Sequence, residues 1–182
     1  MTFPRLATFT VHGATKYGAV TDRGIVDLSV RFGQSYPTLR EAIADRALDK
    51  LAEAGAKHAP DIALDAIAWQ PPIPAPEKII CIGVNYPDRN AEYKDGSDAP
   101  KYPSMFMRTP RSFVGHNAPL VRPRVSQKLD YEGEVVLVIG KPGWHIPETS
   151  ALDHVAAVTL CNEGTIRYWV RHAKFNVTQG KN

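Results

Sequence analysis

Asp130-Tyr131-Glu132-Gly133-Glu134 runs directly into Val135-Val136-Leu137-Val138-Ile139, an acidic stretch feeding an unbroken apolar strand. Successive side chains of a strand alternate faces, so Glu132 and Glu134, two apart, share one. Gly133 between them leaves the opposite face bare, which predicts that another backbone passes there. Two carboxylates leaving water together repel and need a counter-charge or a shared proton. A hard divalent cation such as Mg²⁺ meets that need, because it takes one or two carboxylates, keeps waters and leaves positions for substrate oxygens. A solvated strand end with two functionless glutamates is the alternative that this pentapeptide leaves open.

Composition bounds the classes available. With 182 residues, 43% of them hydrophobic and 23% charged, the chain is long enough for one good core, or for one core plus a small appendage. The net charge of +3 is small, and although Arg108, Arg111, Arg122 and Arg124 fall close together, the run reads as solvated or substrate-facing and not as a nucleic-acid footprint. Met1-Thr2-Phe3-Pro4-Arg5 lacks the apolar core of a signal peptide, and no run reaches the length of a membrane span. A cytoplasmic protein is expected. Cys81 and Cys161 lie in apolar strand-like runs, which predicts reduced, buried thiols.

Upstream of the carboxylates, the pattern predicts a small α+β domain over residues 1–70. Thr8-Phe9-Thr10-Val11, Tyr17-Gly18-Ala19-Val20 and Gly24-Ile25-Val26-Asp27-Leu28 form a meander broken at His12-Gly13 and Asp22-Arg23-Gly24. A helix follows, with a capping box at Thr38 and Glu41 and an apolar face of Leu39, Ile43, Ala47, Leu51 and Ala54. Pro71, Pro72, Pro74 and Pro76 then forbid helix, so 71–77 reads as a stiff linker and 78–182 as the start of a second domain. In that domain Lys78–Val84 reads as a buried strand ending in Asn85-Tyr86, and 88–102 as a polar loop or short helix. Ser104–Met107 follows as an apolar piece, then a turn at Gly115-His116-Asn117 and the carboxylate strand. A further strand, Val155–Cys161, ends in Asn162-Glu163, and a short helix with Arg167 and Arg171 follows. Glu163 is the third carboxylate that a metal site built on a sheet requires.

Four ordered motifs resemble the fumarylacetoacetate hydrolase family. Gly83-Val84-Asn85-Tyr86 with Glu92 resembles its Gly-x-Asn-Tyr-x-x-His-x-x-Glu opening, and Leu129-Asp130-Tyr131-Glu132-Gly133-Glu134 with Val138-Ile139-Gly140-Lys141 is close to its most specific signature. Thr159 to Glu163 with Arg167 resembles its Thr-x-x-Asn-Asp-x-x-x-Arg segment, and Phe175 with Gly180-Lys181-Asn182 the start of its Gly-Lys-Ser-Phe-Asp segment. The resemblance implies a mostly β (α+β) fold: a β-barrel or roll catalytic domain, usually homodimeric, behind a small N-terminal domain. It implies Mg²⁺ or Mn²⁺, with Ca²⁺ as a third choice, held by Glu132, Glu134 and Glu163. The partner it implies is a small 2-oxo or 1,3-dicarbonyl acid, as in aromatic catabolism. Such an acid chelates the ion through its carboxylate and carbonyl oxygens, and the ion stabilises an enolate as a bond to C3 breaks. Tyr86, Arg108 and Arg167 match substrate-binding positions, and Glu92, Lys181 and Arg89 catalytic ones.

Departures from the family pattern rank the chemistries. Arg89 stands where a catalytic His is usual, and a guanidinium with a pKa above about 12 is no general base at neutral pH. Decarboxylation and enol–keto isomerisation need a chelating ion and a proton shuttle but no activated water, so they are preferred to hydrolysis. Glu163 replaces the usual Asp, and Val170 stands where Gln is frequent. Arg108 replaces Lys, and its fork suits a second substrate carboxylate. Glu92, His116, His172 and Lys181 remain as proton carriers, while Lys141 reads as a surface residue. The chain stops in mid-motif at Asn182, which is expected of a fragment lacking the C-terminal part of the catalytic domain. The competing class is a non-catalytic relative that binds metal or carboxylate, and beyond it lies a structural α+β protein without a site.

Overall fold

Tight turns set the first strands. His12 and Gly13 both have positive φ, 48° and 78°, the two-residue hairpin geometry whose twist matches that of the flanking strands. This turn joins β1 (Leu6–Val11) to β2 (Ala14–Thr21), with Val11 opposite Ala14. β2 returns through Asp22-Arg23 to β3 (Gly24–Asp27), and β4 (Ala68–Trp69) pairs with the other edge of β1, giving the antiparallel order β3-β2-β1-β4. The computed structural model describes residues 4–83, 85, 101–170, 172 and 177–182.

The third strand stops one residue earlier than its sequence suggests. The Asp27 carboxylate accepts from the Val30 amide and caps a short helix, α1 (Leu28–Phe32), which the strand-like pattern concealed. Asp27 also accepts from Lys16 Nζ at 2.7 Å and Ser29 Oγ at 2.5 Å. The capping box at Thr38 and Glu41 is present. The single helix expected behind it is instead two, α2 (Leu39–Ala44) and α3 (Leu48–Lys57), because Arg46 adopts φ 56° and interrupts the helical backbone. Leu39, Ile43, Ala47, Leu51 and Ala54 nevertheless share one core with Tyr17, Val26 and Leu28.

The chain divides into two compact units. The first comprises Met1–Ala75, Phe113–Val121 and Glu132–Glu163; the second comprises Pro76–Ser112, Arg122–Tyr131 and Gly164–Asn182. The proline-rich run holds the first change of unit, and within the first unit it is tied back to the sheet by Thr8 Oγ1 donating to the Pro72 carbonyl at 2.6 Å. Also in the first unit, β7 (Gly133–Ile139) pairs antiparallel with β8 (Val155–Asn162). Val138 and Ala156 pack that ladder on the α2–α3 core, and Gly140 keeps the approach close: a Cβ there would lie 2.5 Å from that of Ala156. The opposite face carries Val135, Leu137, Ile139, Val158 and Leu160, all exposed.

In the second unit β5 (Ile80–Gly83) pairs with β6 (Ser104–Met107). The expected buried strand is half-exposed: Ile80 and Ile82 face outward while Cys81 is half-buried, since nothing among the described residues covers that face of a two-stranded ladder. Cys161 is likewise half-buried, and the two cysteines are not joined in a disulfide. Two short helices follow, α4 (Arg167–Val170) and α5 (Val177–Lys181), joined by the Ile166 amide donating to the Gly180 carbonyl at 2.8 Å. Among the described residues no helix is long and apolar enough to cross a membrane.

Candidate metal centre

Three carboxylates converge where the β7–β8 ladder opens. Its last pair is Gly133 opposite Asn162, and one step further the Glu163 amide donates to the Glu132 carbonyl at 2.7 Å. Glu132 and Glu163 are therefore cross-strand partners, and partners share a face. Glu134 lies two residues along β7, on the same face, opposite Cys161. The Glu132 amide donates to Asn162 Oδ1 at 3.0 Å, so the asparagine side chain braces the backbone between two of the acids. A Cβ at Gly133 would meet open space, so the expected passage of another backbone is absent among the described residues.

One carboxylate oxygen from each of Glu132, Glu134 and Glu163 lies within 4.8 Å of the others. Burial falls from Glu163, buried, through Glu132, half-buried, to Glu134, exposed. Carboxylates held this close repel when charged together, most where burial removes the screening of solvent. A cation between them would convert the repulsion into attraction. Ligand oxygens at ~2.1 Å from Mg²⁺ stand about 3 Å apart when adjacent and about 4 Å when opposite, and slightly further apart around Ca²⁺. The donor set suits a hard divalent ion in kind, three carboxylate oxygens and no soft ligand, and its 4.8 Å limit is slightly wider than a closed Mg²⁺ shell, so the side chains would draw in around the ion.

The remaining sequence-predicted residues divide into two groups. Tyr86, Arg89 and Glu92 lie outside the described residues, as do Arg171 and Phe175. Arg108, Arg167 and Lys181 belong to the second unit. Arg108 is buried, its Nε donating to Ser112 Oγ at 3.2 Å and Nη1 to the Gly164 carbonyl at 3.4 Å. Arg167 Nε donates to Asp130 Oδ2 at 2.7 Å, and the Asp130 and Thr165 backbones bridge reciprocally at 2.9 Å. Sequence reading gave Asp130 no role; its place two residues before Glu132 was the available signal. Lys181 is buried with Nζ 5.3 Å from the Phe106 ring centroid, a cation–π contact. His116 packs edge-on against Trp69, and His172 edge-on against Tyr168 and tilted against Trp169, so both have structural neighbours of their own.

A family model described as Fumarylacetoacetate (FAA) hydrolase C-terminal matches residues 78–182. The oxaloacetate tautomerase YisK of Bacillus subtilis is 40% identical over 116 residues, covering 62% of this chain and 38% of that protein. The mitochondrial oxaloacetate tautomerase Fahd2a of Rattus norvegicus is 32% identical over 149 residues, covering 80% and 47%. Among solved structures, the fumarylacetoacetate hydrolase of Exiguobacterium antarcticum superposes with a TM-score of 0.72 at 25% identity, covering 99% of this chain and 62% of that one. The chain spans less than half the length of these two curated relatives.

Proposed function

The chain belongs to the fumarylacetoacetate (FAA) hydrolase family, and from that premise we propose that it is a divalent-metal-dependent enzyme moving a proton between the enol and keto forms of a 2-oxo dicarboxylic acid. The observation that carries this reading is the cluster of three carboxylate oxygens within 4.8 Å at the open end of one ladder. Glu132, Glu134 and Glu163 would hold Mg²⁺ or Mn²⁺. The chemistry such an ion supplies is stabilisation of negative charge developing on a chelated 2-oxo acid.

The other residues are assigned by their chemistry. Arg108, whose guanidinium also donates to Ser112 Oγ and the Gly164 carbonyl, is assigned to a substrate carboxylate by its charge. Arg167, held by Asp130, and Tyr86 complete substrate binding. Lys181 and Glu92 are the proton carriers, and Arg89 contributes charge but no base. Tautomerisation needs a proton moved from one atom to another and no activated water, so the Arg89 substitution weighs against hydrolysis and not against this reaction. The names of the two tautomerase relatives support the same choice.

The test is thermal unfolding with Mg²⁺ or Mn²⁺, with oxalate as an enolate mimic, and with both. A site filled at a hundredfold excess over Kd stabilises by about 2.7 kcal/mol, several degrees for a chain of this size. The expected shift requires ion and oxalate together and vanishes in Glu134→Ala. Loss of the enol absorbance of oxaloacetate, faster with ion than without, then identifies turnover. A shift without turnover on any oxo acid would assign the chain to the non-catalytic binding class, and cleavage of an acylpyruvate in place of tautomerisation would restore hydrolysis.

A further inference from the structure

At the other end of the β7–β8 ladder, within the first unit, the α2–α3 joint and the strand ends line a half-open pocket of about 280 Å³. It lies just below the ~300 Å³ lower bound of sites for drug-sized ligands, so it suits a small metabolite and not a nucleotide. Its charged lining is balanced: Arg46 and Lys141 against Asp49 and Asp153. None of these four side chains makes an ion pair among the described residues. Ile43, Leu48, Val155 and Ala156 supply an apolar wall.

His154 adds a directed group. It is only 8% exposed and lines the cavity. Its Nδ1 lies 2.8 Å from the Lys141 carbonyl. A carbonyl only accepts, so Nδ1 carries the proton and Nε2 of the neutral ring is an acceptor. That nitrogen has no hydrogen-bond partner among the described residues.

A simple dianion in this cavity would meet Asp49 and Asp153, and a simple amine would meet Arg46 and Lys141. A molecule carrying both charges meets neither penalty. We propose that the cavity binds the zwitterion of a small aliphatic α-amino acid, its carboxylate toward Arg46 and Lys141, its ammonium toward Asp49, Asp153 and His154 Nε2, and its side chain on the apolar wall. None of these residues belongs to the carboxylate cluster, so the site stands or falls independently of the metal centre.

Calorimetric titration of the full chain with L-leucine, 4-methylpentanoate and 3-methylbutylamine tests it. Leucine binds, and each singly charged analogue binds at least about tenfold more weakly, the worth of one lost charged hydrogen bond. Arg46→Gly and Asp153→Asn each weaken leucine at least about tenfold by the same argument. Arg46→Gly suits the positive φ and keeps the fold, which its unliganded melting temperature verifies. No leucine binding at about 10 mM, far above a millimolar Kd, would overturn the proposal. So would an analogue that binds as tightly as leucine, or a folded variant that binds as well as the parent.

Discussion

At Gly115 a Cβ would lie 1.8 Å from the Trp69 carbonyl oxygen and 2.9 Å from the Gln70 amide nitrogen. The obstacle is backbone, which cannot rotate aside as a side chain can, so Gly115→Ala must displace either the 115–118 turn or the β4 edge. The expected cost is about 2–4 kcal/mol, read as a lowered urea midpoint; an alanine variant with the parent midpoint would mean that the turn relocates freely. Arg46 presents the opposite case. Its φ of 56° suits glycine, and its side chain is exposed and buries little. Arg46→Gly is therefore expected to gain about 1 kcal/mol in the same measurement, the left-handed penalty outweighing the added entropy of the unfolded chain. A loss of stability would show that the guanidinium contributes packing that outweighs the backbone strain.

Elements whose signals are local were legible, and elements defined by distant partners were not. The His12-Gly13 hairpin, the Thr38–Glu41 capping box and the turn at Gly115–Asn117 each carry their geometry within four residues, and each is present. The pairing of Glu132 with Glu134 on one face follows from the strand period alone. That Glu163 is their cross-strand neighbour depends on the β7–β8 register, set over a connection of fifteen residues, 140–154, with no repeating pattern of its own. The break between α2 and α3 was hidden because Leu39 to Ala54 keep helical spacing through it: both helices serve one core, so burial preserved the pattern that the backbone abandons. Helix α1 was hidden because its apolar residues continue the β3 pattern, and the cap Asp27 read as a strand residue. Its importance can be measured. Asp27→Ala removes the cap and the acceptor for Lys16, and leaves that ammonium beside a half-empty site; Thr38→Ala removes only an exposed cap. The expected losses are about 2–3 kcal/mol for Asp27 and about 1 kcal/mol for Thr38, and equal losses would show that the Lys16 contact contributes nothing.

For the molecule as a whole, the perturbed titrating groups define the pH range of stability. Burial opposes charge on Asp27, but hydrogen bonds from Lys16, Ser29 and the Val30 amide outweigh it and hold the carboxyl below its usual 3.8. Arg31 does the same for Asp61, and the Thr38 hydroxyl for Glu41. Groups with lowered values contribute stability above their unfolded pKa and lose it as pH falls through the folded one, so the acid limb begins near pH 4 and steepens below it. Tyr17 acts in the other direction. Burial first, and then the charge of Asp27, push its phenol from 10.0 up to about 12. Above pH 10 the unfolded chain releases this proton while the folded one retains it, so stability declines between pH 10 and about 12. Trp69, on β4 of the same sheet, is one fluorophore for urea unfolding across the series. Tyr17→Phe also loses the hydrogen bond to the Tyr36 carbonyl at 2.7 Å, about 1 kcal/mol wherever the phenol is protonated. Its midpoint should therefore be lower at neutral pH yet flatter from pH 10 upward, with the acid limb unchanged. An alkaline decline as steep in the phenylalanine variant as in the parent would assign that limb to groups other than Tyr17.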